Sequence, residues 1–179
     1  DTPSITVGVR GLCYQEITVT GPDRDLHSGM YGGAVDNPVN ALAYMIQRLK
    51  DRNGRILIPG FYDKVQPPTE KEREEIHKIP FDVDKFKSSI GIKETLGEPG
   101  FSTLERIGYR PALDVNGIIG GYTGPGAKTV LPSRVSAKVS MRLVPNQEHE
   151  EIARLFQEYI HQIKPPTVDV EIEDLHGAR

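Results

Sequence analysis

Four side chains have the types and settings that recognition and proton chemistry require. His27 sits in the run Asp25-Leu26-His27-Ser28-Gly29. An imidazole in a glycine-flanked loop can be aimed at a ligand, because Gly29 relaxes the backbone beside it. The alternative is a loop histidine bonded to a neighbouring carbonyl. Thr129 follows the run Gly124-Pro125-Gly126-Ala127-Lys128. Such a loop offers backbone amides and a hydroxyl to an anion, or it is a plain turn between strands. Arg142 falls at the centre of the polar face of an alternating segment, where a guanidinium fork suits a carboxylate. A surface arginine paired with Asp or Glu of the next strand is the competing reading. Asn116, on an adjoining strand, adds an amide to the same face.

Other chemistry is missing. The five histidines are His27, His77, His149, His161 and His176. No two of them stand three or four residues apart, and Cys13 is the only cysteine, so the chain offers no obvious metal cage and no disulfide framework. A single cysteine fits the cytoplasm. Glu74-Glu75 lies in a Lys, Arg and Glu run that reads as a solvated helix face. Ser28 and Ser133 have no base and orienting partner in sequence. The run 120–129 has the wrong glycine spacing before Lys128 for a phosphate loop, and a strand follows it instead of a helix. The inventory is half an active site: Arg142 and Thr129 to hold a carboxylate, His27 to meet developing charge, and no nucleophile.

The elements that must carry these groups follow from periodicity. Residues 14–20 alternate, with Gln15, Ile17 and Val19 on one face. Asn37-Pro38 opens a helix with Val39, Leu42, Ala43, Ile46 and Leu49 on its core side, and Asn53-Gly54 ends it. Residues 113–120 form a second strand. Residues 134–144 form the clearest one, with Val135, Ala137, Val139, Met141 and Leu143 inward. Asn146 caps a second helix whose stripe is Ile152, Leu155, Phe156, Tyr159 and Ile163. Residues 167–173 make the last strand, with Val168, Val170 and Ile172 inward. Segment 55–111 is rich in Pro, Lys and Glu, with helices over 69–79, 82–90 and 102–107. It reads as a largely helical insert without a core of its own. The order strand-helix-(insert)-strand-strand-helix-strand is the ferredoxin-like βαββαβ pattern. It predicts a four-stranded antiparallel sheet with two helices on one face.

The whole is compatible with one domain. The chain has 179 residues, 37% apolar and 26% charged, and a net charge of −3. That balance leaves no electrostatic footprint for nucleic acid or an anionic membrane, and no apolar run approaches the roughly 18 residues of a membrane span. The chain begins at Asp1 without an initiator methionine, and we expect a piece of a longer protein. A processed mature protein is the alternative.

Several motifs, taken together, match a known family. They are Val19-Thr20-Gly21, Asp25-Leu26-His27-Ser28-Gly29 with Gly32-Gly33 and Asn37-Pro38, Asn116-Gly117-Ile118, the run from Gly124 to Pro132, and Met141-Arg142-Leu143-Val144-Pro145. In this order they resemble the dimerisation (lid) domain of the M20 metallopeptidases, and within it the carnosinase-like dipeptidase branch. The resemblance covers nearly all of residues 1–179. It implies that 1–11 and 174–179 are hinge remnants and that 55–111 is the branch's own insert. It also implies two zinc (or manganese) ions in a separate catalytic domain, bridged by a carboxylate and served by a glutamate base, with none held by this chain. Implied partners are a second lid in a homodimer, that catalytic domain, and a peptide substrate. Implied roles are oxyanion stabilisation in the partner subunit for His27 and substrate binding for Asn116, Thr129 and Arg142, the arginine on the C-terminal carboxylate. A free-standing ferredoxin-like module that binds a small carboxylate is the other class the residues allow.

Overall fold

A computed structural model describes residues 8–178. Strand β1 (Gly11–Thr20) is central. Its Cys13, Gln15, Ile17 and Val19 are all buried, as the alternation requires. On one side it pairs with a long strand Arg134–Leu143, in an unbroken antiparallel register from Gly11↔Leu143 to Thr20↔Arg134. On the other it pairs with Asp169–Ala178. The strand Ala112–Gly120 completes the sheet beyond Arg134–Leu143.

In chain order the elements are β1, β2 (Leu26–His27), α1 (Ser28–Tyr31), α2 (Pro38–Leu49), α3 (Glu70–His77), α4 (Val83–Ile90), α5 (Thr103–Gly108), β3 (Ala112–Gly120), β4 (Val130–Leu131), β5 (Arg134–Leu143), α6 (His149–Ile163) and β6 (Asp169–Ala178). The main sheet runs β3-β5-β1-β6, antiparallel throughout, with α2 and α6 packed on one face. This is the expected ferredoxin-like arrangement. A second, two-stranded sheet, β2 with β4, was not legible in the sequence.

The core lies between the sheet and the two helices. Ala41, Leu42, Met45 and Leu49 of α2 meet Val135, Ala137, Val139 and Met141 of β5 and Ile152, Phe156 and Ile160 of α6. Several local expectations shift. Ala43 is exposed and Met45 takes its place inside. Helix α2 ends at Leu49, before Asn53-Gly54. Lys50 is extended there and bridges Ile56, while its ammonium reaches the Leu113 carbonyl (2.7 Å) and Asp114 (3.2 Å). The N-cap position of helix α6 is Glu148, with no side-chain capping hydrogen bond, so Asn146 does not cap it. Asn146 instead makes a left-handed turn at φ 73°. Strand β6 runs past Glu173 to Ala178. A bulge opposite Tyr14/Gln15 interrupts the alternation that defines its inner face. Gly11 and Asp174–Ala178, expected as hinge remnants, are therefore strand residues, and residues 1–7 and 179 of those remnants lie outside the described residues.

Segment 55–111 carries three short helices near the expected places. Thr69 with Glu72, and Ser102 with Glu105, form capping boxes, and Asp82 caps α4. Turns and extended stretches join them. The segment shares the main core through Ile56, Ile58 and Phe61. A buried polar knot ties its two ends. Glu98 accepts from Tyr62 (2.7 Å) and from Arg110 (2.7 and 3.2 Å), while the Tyr62 hydroxyl accepts from the Ile56 amide (3.1 Å). Burial and the adjoining Glu98 carboxylate push the Tyr62 hydroxyl pKa far up. Gln147 makes a second tie, donating to the Phe61 carbonyl (2.8 Å) and accepting from the Val144 amide (3.1 Å).

Removing one partner of a buried ion pair strands the other charge. Glu98→Ala is expected to lower unfolding free energy by about 3–5 kcal/mol, read by urea denaturation. Gln147→Ala, which leaves two buried backbone groups unsatisfied, should cost about 1–3 kcal/mol. A loss from Glu98→Ala smaller than that from Gln147→Ala would mean that water replaces the carboxylate.

Candidate functional site

The loop before β2 is clamped to the start of β5. Asp25 accepts from both the amide (2.8 Å) and the hydroxyl (3.1 Å) of Ser133, and the Gly21 amide donates to the Ser133 carbonyl (2.9 Å). Those two bonds to Ser133, the backbone one first, hold the Asp25 carboxyl below its ordinary pKa. The clamp leads directly into the β2–β4 pair, in which His27 stands opposite Val130 and the Ser28 amide donates to the Thr129 carbonyl (3.0 Å).

This pairing brings two of the expected residues together. The His27 ring is exposed. Its Nδ1 accepts from the Gly29 amide at 3.0 Å and its Nε2 lies 3.0 Å from the Thr129 hydroxyl. An accepting Nδ1 on the neutral ring puts the proton on Nε2. Nε2–H is therefore the donor, with the threonine oxygen as its acceptor. Gly29 serves this geometry by its size. It has no left-handed φ, and a Cβ there would stand 2.8 Å from the His27 ring. The expected backbone freedom is thus not its role. The loop 121–129 is exposed throughout.

Arg142 is exposed on β5, opposite Leu12 of β1 and Ala112 of β3. Among the described residues it has no ion-pair partner; Asp114, opposite Ser140 on the neighbouring strand, is taken by Lys50. The reading of a surface arginine paired across the strand is not what the structure holds. Asn116 is exposed at the bulge between Val115 and Gly117 on the edge strand β3. A bulge re-aims a side chain out of the regular pleat.

The four residues do not converge within one chain. The His27–Thr129 pair lies beyond the Arg134 end of β5, and Arg142 lies eight residues along, roughly 26 Å at 3.3 Å per residue. Asn116 lies between. Asp25 escaped the sequence reading as an anchor, since its partner Ser133 is distant in sequence. Arg10 was also missed, although its spacing from Leu12 places it on the same face as Arg142 once β1 is extended backwards. Among the described residues no three His, Cys, Asp or Glu side chains are placed to hold a metal ion, and no helix is long and apolar enough to cross a membrane.

The chain is similar to known dipeptidases over most of its length. It is 39% identical to the Cys-Gly metallodipeptidase dug1 of Schizosaccharomyces pombe, over 90% of this chain and 34% of that protein. Its structure matches that of the dipeptidase Dug1p of Saccharomyces cerevisiae with a TM-score of 0.88 and 33% identity, covering 99% of this chain and 38% of the other. It matches human carnosine dipeptidase 1 with a TM-score of 0.87 and 32% identity, covering 98% and 38%. The chain thus spans about a third of the length of the curated relatives it matches. The peptidase dimerisation domain model of the M20 family matches residues 7–168. On this match, together with the identities above, this chain belongs to the M20 peptidase dimerisation domain family.

Proposed function

We propose that this chain is the dimerisation and substrate-recognition domain of a longer M20 dipeptidase, and that its site is completed across two copies. The observation that carries the reading is the separation of the half-sites: His27 with Thr129 at one end of the sheet, Arg142 at the other. A two-fold copy pairing edge to edge reunites them. The sheet has two edges, and they differ in chemistry. β6 presents Asp169, Glu171, Glu173 and Asp174, a charged edge of the kind that resists pairing. From Val115 to Gly120, β3 carries no charge, and Ile118 and Ile119 are 57% and 68% exposed. An uncharged edge with exposed β-branched residues is a template for another strand.

Antiparallel pairing of β3 with its copy, centred near Gly117 and Ile118, sets Gly120 of one protomer opposite Val115 of the other and so turns the Gly120 end toward the partner's Ala112 end. Gly120 pairs with Val135, next to the His27 loop, and Ala112 pairs with Arg142. One protomer's imidazole thus approaches its partner's guanidinium. A closed two-fold dimer of this kind builds two such sites.

In this reading Arg142 grips the C-terminal carboxylate of a peptide through two parallel N–H donors. Asn116 and the Thr129 hydroxyl add hydrogen bonds to the peptide. The Nε2–H of His27, already oriented by the Gly29 amide, turns from Thr129 to the carbonyl oxygen on which negative charge grows during hydrolysis. The family resemblance puts the zinc or manganese pair in a catalytic domain outside this chain, and among the described residues no three His, Cys, Asp or Glu side chains are placed to hold one.

Two outcomes are expected. Ile119→Lys should convert the dimer to monomer in sedimentation equilibrium without loss of the folded signal. A dimer that survives it would move the interface elsewhere. In the peptidase that contains this chain, His27→Ala should lower kcat by about 10²–10³-fold, and Arg142→Gln should chiefly raise KM. At substrate well below the KM of the Arg142→Gln variant, where both variants are nearly silent, mixing them should restore about a quarter of the wild-type activity, because half of the dimers are mixed and each has one intact site. No recovery on mixing would place both residues in the same site of one chain.

A further inference from the structure

A cavity of about 330 Å³ opens where the start of β3 meets the segment that ends at Pro111. Its ionic lining is unbalanced. Arg10, Lys50, Arg106 and Arg110 face Glu98 and Asp114. Two pairs cancel: Arg110 with Glu98 at 2.7 Å and Lys50 with Asp114 at 3.2 Å. Arg10 and Arg106 have no carboxylate partner among the described residues. Each is instead anchored by one nitrogen to a backbone carbonyl. Arg106 Nε donates to Glu98 (3.1 Å) and Arg10 Nη1 to Arg110 (3.3 Å). Arg106 lies across Gly97, where a Cβ would collide with its side chain. Among the described residues, both Nη groups of Arg106 and the Nη2 of Arg10 remain without protein acceptors.

The cavity adjoins the half-site on the open face. Ala112 lines it and is the register partner of Arg142. Arg10 precedes Leu12 by two residues, and Leu12 pairs with Arg142. Arg10 therefore stands diagonal to Arg142 on the same face, a spacing of about 7–8 Å. Burial, and after it the charge of Arg142, lowers the Arg10 pKa from its ordinary value, with Asp114 opposing. Three guanidiniums that have no carboxylate partner among the described residues are thus gathered at one end of the sheet. An anion placed among them relieves their repulsion.

We propose that this cavity receives the side-chain carboxylate of a peptide's C-terminal residue, through Arg10 and Arg106, beside the α-carboxylate on Arg142. The domain then favours peptides ending in glutamate or aspartate. The inference rests on the reading of Arg142 as the α-carboxylate holder. Its own content is the second charge. The cavity is at the small end of ligand pockets and has room for an acidic side chain.

The test is a titration of this chain, followed by amide chemical shifts, with N-acetylglutamate and N-acetylglutamine. The two probes differ only in the second charge. The wild type should bind N-acetylglutamate about tenfold more tightly, the worth of one charge-assisted contact. That advantage should fall below about twofold in Arg10→Gln and in Arg106→Gln, and persist in Arg10→Lys. Arg142→Gln should weaken both probes alike. Equal affinities in the wild type, no binding of either probe, or an advantage retained in both glutamine variants overturns the proposal. If Arg142→Gln alters neither affinity while Arg10→Gln still removes the advantage, the cavity stands as an anion site and the reading of Arg142 fails.

Discussion

The register between β1 and β5 is the constraint on which the rest depends. Ten consecutive residue pairs, from Gly11↔Leu143 to Thr20↔Arg134, run without a break. Side chains alternate faces along a strand, so a slip of one residue would turn the whole core set outward. Val135, Ala137, Val139, Met141 and Leu143 forbid that slip, since each is almost wholly buried. The same register sets where the polar groups stand. At one end it carries Arg134 and, through Ser133 and Asp25, the loop that holds His27. At the other it sets Arg142 opposite Leu12.

The sheet's asymmetry follows from which strands lie at its edges. β1 and β5 are paired on both sides and supply the core. β6 and β3 each leave a row of backbone groups open. Acidic residues crowd the β6 edge and keep other strands away. On β3 the Asn116 bulge, the glycines and two exposed isoleucines leave a strand that can accept a partner. The β5 register keeps Arg134 and Arg142 some 26 Å apart, and the separation of the two residue groups and the free β3 edge are the two features that the proposed pairing of copies would connect.

Segment 55–111 is more than an ornament on this frame. It lends Ile56, Ile58 and Phe61 to the core and is fastened through the Tyr62–Glu98–Arg110 knot. By covering the start of β3 it makes that end of the sheet basic. The opposite end of the same strand stays apolar. The segment therefore divides one edge into an uncharged stretch and a basic one.

Much of this was legible in the sequence, and the reason is periodicity. The two-residue alternation of β1 and β5 and the helical stripes of α2 and α6 are local signals that burial makes strong. They determined the βαββαβ order and the face on which Arg142 lies. Motif spacing singled out His27, Asn116, Thr129 and Arg142 as candidates. What escaped were features set by contacts distant along the chain. The β2–β4 pair joins residues about 100 apart and is only two residues long, too short for a pattern. The end of α2 at Leu49 is decided by pairing with Ile56 and by the hold of β3 on Lys50. The cap expected at Asn146 gave way because Gln147 is pinned to Phe61. The bulge at Asn116, the tautomer of His27 and the lack of an ion-pair partner for Arg142 among the described residues each depend on which neighbour stands opposite. Apart from Ala43, Met45 and the bulged part of β6, the sequence alone determined which residues face in and which face out. Only the tertiary structure decided which polar groups meet, because a hydrogen bond or ion pair needs a partner within about 3 Å, and that partner is supplied by the fold.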